Sequence, residues 1–245
     1  VGNKLFIFGG YSGHGKTSSD LYTLDLGDEE AEEGWVMTWN VPVLKGKGPT
    51  QRFDHCSTLY PGKYVLFGGQ DNVQMFRDIH LLDIEKMAWD EESGRSPLQY
   101  SYELCSHYAE AIESVPNYKL FCTFGKKGLL EYSNHVDVMD CGSLVWSTPN
   151  TIGAPPTARE DTAIAYDNKT CRLVIFGGWA NRWLNDVWTL NVSPIIGPPY
   201  ACMSVSPDIG PVFGDSEILV SGIQFKQSSK IEVRFGSGKM EVIVE

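Results

Sequence analysis

The chain has 245 residues, 42% hydrophobic and 21% charged, which supports a folded core rather than disorder. Its 31 acidic and 20 basic residues give a formal charge of −11, which argues against a surface that tracks nucleic-acid phosphates or an anionic membrane. Its 25 glycines, 13 prolines and 12% aromatics suit short strands and tight turns, and the apolar runs, such as Leu173 to Phe176, are too short to cross a bilayer.

From the N-terminus, an apolar run ends in paired glycines, Leu5-Phe-Ile-Phe-Gly-Gly10, and predicts a strand. About ten residues on, Ser19-Asp-Leu-Tyr-Thr-Leu-Asp25 alternates with period two and predicts a second strand. The acidic run Asp28 to Glu33 follows and reads as a solvated loop, because carboxylates alone do not define a calcium cage. Trp39 marks the next strand. The same order returns as Arg52-Phe-Asp-His55, Tyr64-Val-Leu-Phe-Gly-Gly69, Arg77-Asp-Ile-His-Leu-Leu-Asp83 and Trp89. A worn third copy reads Leu104-Cys-Ser-His107, Leu120-Phe-Cys-Thr-Phe-Gly-Lys126, Asn134-His-Val-Asp-Val-Met-Asp140 and Trp146, with Lys126 taken as the replacement of the second glycine. The fourth reads Arg159-Glu-Asp-Thr162, Leu173-Val-Ile-Phe-Gly-Gly178 and Asn185-Asp-Val-Trp-Thr-Leu-Asn191, with no tryptophan after it.

The first glycines stand at 9, 68, 125 and 177, spaced 59, 57 and 52 apart, so the chain is an internal repeat of four-stranded units. Gly9, Gly10, Gly68, Gly69, Gly125, Gly177 and Gly178 allow close approach of a neighbouring sheet and positive φ. Trp39, Trp89 and Trp146 are large enough to fill the space between two sheets.

These residues resemble the kelch repeat, over about residues 1–192. The resemblance implies blades of a β-propeller, with the glycine pair ending the second strand and the tryptophan on the fourth. The first unit lacks its first strand and the fourth its tryptophan strand, so the expectation is a piece of a longer propeller closed by further sequence. After Pro194 to Pro199 the pattern changes to a proline/glycine turn and three alternating strands. That segment resembles the opening of an IPT/TIG immunoglobulin-like domain, with its hallmark positions at Pro207, Gly210, Gly222 and Phe225. The expected fold is therefore all-β: a partial kelch-type propeller of about four blades over residues 1–196, then the start of an immunoglobulin-like sandwich over 197–245.

Six scattered cysteines, Cys56, Cys105, Cys122, Cys141, Cys171 and Cys202, form no Cys-x-x-Cys pair and read as buried hydrophobes of a reducing, cytoplasmic compartment. The sequons at Asn168 and Asn191 support the extracellular alternative. His55 and His107 share one repeat position and read as packing residues; His14 lies in a glycine-rich loop that lacks the Gly-Lys-Ser/Thr spacing of a nucleotide site. No nucleophile elbow appears, so no catalytic residue, metal or cofactor is expected. The enzymatic alternative is a copper radical oxidase resembling galactose oxidase, which also joins such a propeller to an immunoglobulin-like domain. It requires two histidines, two tyrosines and a cysteine, and no histidine follows His135.

In a propeller the loops after the second strands (11–18, 70–76, 127–133 and 179–184) and those leading into the first strands share one face. They would present Tyr11, Met75, Phe76, Leu129, Leu130, Tyr132, Trp179, Arg182 and Trp183, with Arg52 and Arg159 from the leading loops. Aromatics and arginine are enriched in protein interface cores. The expected function is a non-catalytic scaffold that binds a protein through this face, cytoskeletal or signalling by the kelch resemblance, with neither nucleic acid nor membrane as partner.

Overall fold

A computed structural model describes residues 3–27, 37–91, 100–114, 117–128, 131–197, 201–207 and 217–223. The chain divides into two compact units, Val1–Ile196 and Gly197–Glu245. The acidic run 28–33, Leu129, Leu130, Gly210, Phe225 and the last two expected strands lie outside the described residues.

The first unit is a succession of antiparallel sheets. Blade I holds β1 (Lys4–Phe8), β2 (Leu21–Asp25) and β3 (Thr38–Asn40). Blade II is complete, with β4 (Cys56–Tyr60), β5 (Lys63–Phe67), β6 (Ile79–Asp83) and β7 (Ala88–Trp89) in that order. Blade III runs β8 (Tyr108–Glu113), β9 (Tyr118–Thr123), β12 (Val136–Asp140) and β13 (Trp146–Ser147), and its loop carries a small ribbon of β10 (Lys126–Lys127) and β11 (Glu131–Tyr132). Blade IV holds β14 (Ala163–Asp167), β15 (Arg172–Phe176) and β16 (Val187–Asn191), followed by a single turn of helix, α1 (Ser193–Ile196).

Period-two alternation sends successive side chains to opposite blade seams. On β5, Tyr64 and Leu66 face blade I, where Phe6, Phe8 and Leu21 meet them together with Leu82 and Trp89. Val65 and Phe67 face blade III and pack with Ile79, Leu104, Leu120, Cys122 and Met139. Between blades III and IV the core is Ile112, Phe121 and Val138 against Cys171, Leu173, Val192 and Ile196. The tryptophan of a blade faces the blade before it: Trp89 lies edge-on to Phe8, and Trp146 is tilted 5.7 Å from Phe67. Trp39, expected to fill a seam, is 57% exposed because its side of blade I meets no sheet among the described residues. Among the described residues blade IV has no tryptophan strand, and Ile196 of α1 enters the seam core.

Each seam is stitched by paired backbone bonds. Gly10, Gly69 and Gly125 donate their N–H at 2.8 Å to the carbonyls of Arg52, Leu104 and Arg159 in the next blade. Those three residues return bonds to the carbonyls of Ser18, Phe76 and Ser133 at 3.1, 3.0 and 3.2 Å. Torsions set the register of the worn copy: Gly9, Gly68, Phe124 and Gly177 have φ of 63°, 61°, 60° and 63°, whereas Gly10, Gly69, Gly125 and Gly178 have φ of 104°, 89°, 95° and 97°. Gly125 is thus the second glycine, and Phe124, not Lys126, stands where a glycine was replaced.

At the far end of the blades, a lysine opening the second strand faces an aspartate closing the third: Lys4 with Asp25, Lys63 with Asp83, and Lys119 with Asp140. In the second unit, β17 (Ala201–Ser206) pairs antiparallel with β18 (Leu219–Ile223), with Gly222 opposite Cys202 and a register shift between Cys202 and Ser204.

The seam geometry separates two glycines that both have positive φ. A Cβ on Gly69 would stand 2.7 Å from His55 Cβ and 2.8 Å from the Phe53 carbonyl, whereas a Cβ on Gly62 meets nothing within 4 Å. Gly62→Ala is expected to cost about 1 kcal/mol, the ordinary penalty of positive φ, and Gly69→Ala roughly 3 kcal/mol or more, compared by urea unfolding. Equal losses would show that the seam accommodates a side chain.

Candidate binding face

Beneath the loops at the glycine end of blades II and IV lies a repeated clasp. Arg52, fully buried, grips Asp78 at 2.5 and 2.9 Å with its two terminal nitrogens and donates to the Gly68 carbonyl at 2.9 Å. Its Nε donates to the Thr50 carbonyl at 3.1 Å. Arg159 repeats the arrangement with Asp186 at 2.6 and 2.9 Å, the Gly177 carbonyl at 2.8 Å and the Thr157 carbonyl at 2.8 Å. Each aspartate also takes a ring nitrogen from the residue two positions on: His80 Nε2 at 2.9 Å from Asp78, and Trp188 Nε1 at 2.7 Å from Asp186. Burial pushes the Asp78 carboxyl up, but Arg52 and then His80 more than offset it and hold it below the usual carboxylate range. Arg159 first, then Trp188, does the same for Asp186.

Arg52 and Arg159 were expected on the binding loops. Their guanidinium groups are instead consumed inside the blades, with no exposed surface, so neither can touch a partner. Planar donors matched to carboxylates carry this geometry, and burial of such a charge is tolerated only with that full set of acceptors. Asp78 and Asp186 escaped the sequence reading. The signal was present as an aspartate at the second position of the strand-three echo in Asp20, Asp78 and Asp186, with His135 in the third copy, where Leu104 replaces the arginine.

Blade III loses both halves of the clasp and builds another support. Its carboxylate stands two residues later, at Asp137, which is buried and accepts from Tyr100 and from Thr148. Tyr102 donates to it at 3.3 Å and lies 2.9 Å from the Tyr100 hydroxyl. Lys127 places its ammonium 3.9 Å above the Tyr102 ring. Burial, foremost, raises both phenols, Tyr102 to about 12.

The remaining expected residues divide by depth. Met75 and Phe76 are half-buried, and Phe76 lies under the Arg52 guanidinium at 4.1 Å. Tyr132, half-buried on β11, pairs with Lys126. Tyr11 is 50% exposed, rests 5.2 Å from Phe53 and accepts from the Gly15 N–H at 3.0 Å. Trp179 and Trp183 form an edge-to-face pair at 5.1 Å across a tight turn closed by the Ala180 N–H and the Arg182 carbonyl at 3.0 Å. Trp183 is 72% exposed and Arg182 lies exposed beside it.

A cleft of about 340 Å³ is lined by Gly9 to Ser12 and Lys16 to Ser18, beneath the loop that carries His14. The N–H groups of Ser12, Gly15, Lys16 and Ser18 are bonded within the loop, which leaves it unlike a phosphate cradle. Among the described residues no three His, Cys, Asp or Glu side chains are grouped to hold a metal. Cys105 and Cys122 are buried free thiols, and Cys171 is buried beside the Tyr166 hydroxyl.

Removing one partner of a buried ion pair strands the other's charge. Asp78→Ala should therefore cost about 3–5 kcal/mol in urea unfolding, and Asp186→Ala less, because the Asp186 side chain is 39% exposed against 20% for Asp78. A loss below about 1 kcal/mol at Asp78 would remove the clasp from the blade's supports.

A model of the Attractin/LZTR1 beta-propeller family matches residues 5–189. Over its full length the chain is 46% identical to the flagellar outer-arm dynein alpha chain of Chlamydomonas reinhardtii, of which it spans 6%. It is 29% identical, over 79% of its length, to acyl-CoA-binding domain-containing protein 4 of Arabidopsis thaliana, spanning 27% of that protein. Over 84% of its length it is 26% identical to Host cell factor 1 of Homo sapiens, spanning 8%. The chain thus spans under a third of each of these relatives. The family match runs from β1 into β16, across all four blades, and the chain belongs to the Attractin/LZTR1 beta-propeller family.

Proposed function

We propose that the propeller is a non-catalytic protein-interaction module that grips its partner through the loop face, with Trp179, Arg182 and Trp183 as the anchor and Tyr11 as an outlying contact. The exposed Trp183, preset against Trp179 on a closed turn, carries this reading. Tryptophan and arginine dominate interface energies, and an anchor held in place before binding loses little freedom on docking. Tyr132, Met75 and Phe76 support the loops from below, and Arg52 and Arg159 act only through the clasps. The propeller match and the likeness to Host cell factor 1 support a protein partner.

The dynein relative aligned over the entire chain supports a reading of the setting. We propose that this chain belongs to a dynein-like protein of a flagellar outer arm, cytoplasmic, in which the propeller attaches a cytoskeletal protein. The second unit is proposed as the start of an IPT/TIG immunoglobulin-like domain. Its support is the β17–β18 pair beside Pro207 and its position beyond the family match.

The test replaces Trp179, Arg182 and Trp183 by alanine. Surface substitutions change stability little, so the melting temperature should move by under about 4 °C. Affinity for a protein captured from axonemal extract and identified by mass spectrometry should fall at least about 30-fold. Unchanged affinity with a large fall in melting temperature would make these residues blade packing. A folded chain that captures no axonemal protein would overturn the dynein setting while leaving the loop face open to other partners.

A further inference from the structure

The two histidines at the repeat's first-strand position sit inside blade seams. His55 is wedged between blade I and its own second glycine: its ring lies edge-to-face with Phe8 at 5.7 Å, and a Cβ on Gly69 would reach its Cβ at 2.7 Å. His107 repeats this one blade on, 4.6 Å from the Phe67 ring, with hypothetical Cβ atoms of Gly68 and Gly125 at 3.0 and 2.6 Å from it. Nδ1 of His55 and both ring nitrogens of His107 are buried without a hydrogen-bond partner. Blade IV carries Thr162 at this position, packed against Gly178.

We infer that the first two seams form an acid-release latch: protonation of His55 and His107 parts blade I from II and blade II from III, while the III–IV seam, built on Thr162, stays closed. An imidazolium carries two N–H donors and a full charge, and these sites leave Nδ1 of His55 and both ring nitrogens of His107 without a partner. The charge that acts on His55 is the cationic Arg52, and His55, once protonated, acts on His107. Asp54, next to His55 in sequence, accepts instead from Gln70 Nε2 at 2.7 Å. Burial first, then those cations, lowers His55 to about 4 and His107 to about 3. Parting would also move the loop face, because Asn72 of blade II donates across the first seam to the Gly15 carbonyl at 2.8 Å.

The sign follows from proton linkage. Both rings bind protons less readily in the closed seam than at the ordinary value of 6.5, so the parted state takes up more protons as pH falls. Closure is fully favoured above about 6.5 and weakens down toward 4 and 3. At pH 5 each histidine favours the parted state roughly 20- to 25-fold more than at pH 7.

Amide hydrogen exchange on the whole chain reads each seam separately, since Gly10, Gly69 and Gly125 donate across the first, second and third. Between pH 7 and pH 5, corrected for intrinsic exchange, protection of Gly10 and Gly69 should fall roughly 20-fold and that of Gly125 by less than about threefold. His55→Thr should cancel the fall at Gly10, and His107→Thr that at Gly69, each borrowing the residue of blade IV. Equal loss at all three glycines, or no loss at any, overturns the latch. Should a variant not fold, ring titration of the unaltered chain by NMR decides: both rings neutral in the closed form at pH 5 upholds it, and ordinary titration near pH 6.5 refutes it.

Discussion

At the first two seams the sheets approach closely because the residue at the contact has no side chain. A Cβ on Gly9 or Gly68 would stand 2.5 Å from the carbonyl of Arg52 or Leu104 in the next blade. The following glycine, with φ near 90–104°, turns its N–H onto that same carbonyl. Close approach and positive φ are two separate demands, and only glycine meets both without strain. The carbonyls of Gly68 and Gly177 are then the ones the buried arginines take up, so the clasp is anchored to the bend that makes the seam. Further in, the bend at the head of each first strand repeats: Asp54, Ser106 and Asp161 have φ of 54°, 50° and 52°. Ser106 donates to the Asp54 carbonyl and Asp161 to that of Ser106, at 2.9 and 3.1 Å. Blade-to-blade geometry is thereby set by backbone, and side chains fill what remains.

Blade III shows which parts of the design are separable. It keeps the second glycine, the seam bonds and the histidine, yet carries Phe124 in the left-handed region, at a typical cost of about 1–3 kcal/mol. Gly125 beside it cannot be exchanged so cheaply, since its Cβ would reach both His107 and the Cys105 carbonyl. The arginine and its aspartate vanish together, as linkage between buried charges requires; either one alone would be stranded. The carboxylate reappears two residues on at Asp137, on the same face of an alternating strand, and neutral hydroxyls of Tyr100, Tyr102 and Thr148 satisfy it. One carboxylate per blade near the head of the third strand is the constant, and its donors vary.

Much of the architecture was legible because glycine pairs and tryptophans recur in register, and strand order follows from that recurrence. What escaped depends on contacts between residues far apart in the chain. Arg52 and Arg159 look like surface residues until partners 26 and 27 positions away are seen to neutralise them. Tyr100 and Tyr102 lie in a stretch that echoes nothing in the other blades, so no repeat pointed to them. The worn copy was misaligned by one position because identity alone matched Gly125 to the first glycine of each pair. Torsion angles distinguish the two glycines, and composition does not. Trp39 matches Trp89 and Trp146 in register and differs in burial only through what stands beside its blade.

The buried clasps also clarify what recognition the face can offer. Two of the arginines that would have given it positive charge are neutralised within the fold. Among the described residues of the outer loops the exposed cations are Lys16, Arg77 and Arg182, one each on blades I, II and IV. Separated charges of this kind are screened within about 8–10 Å and add little affinity each, so electrostatics alone would make a weak grip. In the proposed loop-face binding, apolar area supplies the energy, and the exposed indole of Trp183, packed against Trp179, concentrates that area at one turn of blade IV. Arg159 and Asp186 hold the base of that turn through the Gly177 carbonyl, which links the interior clasp to the position of the anchor.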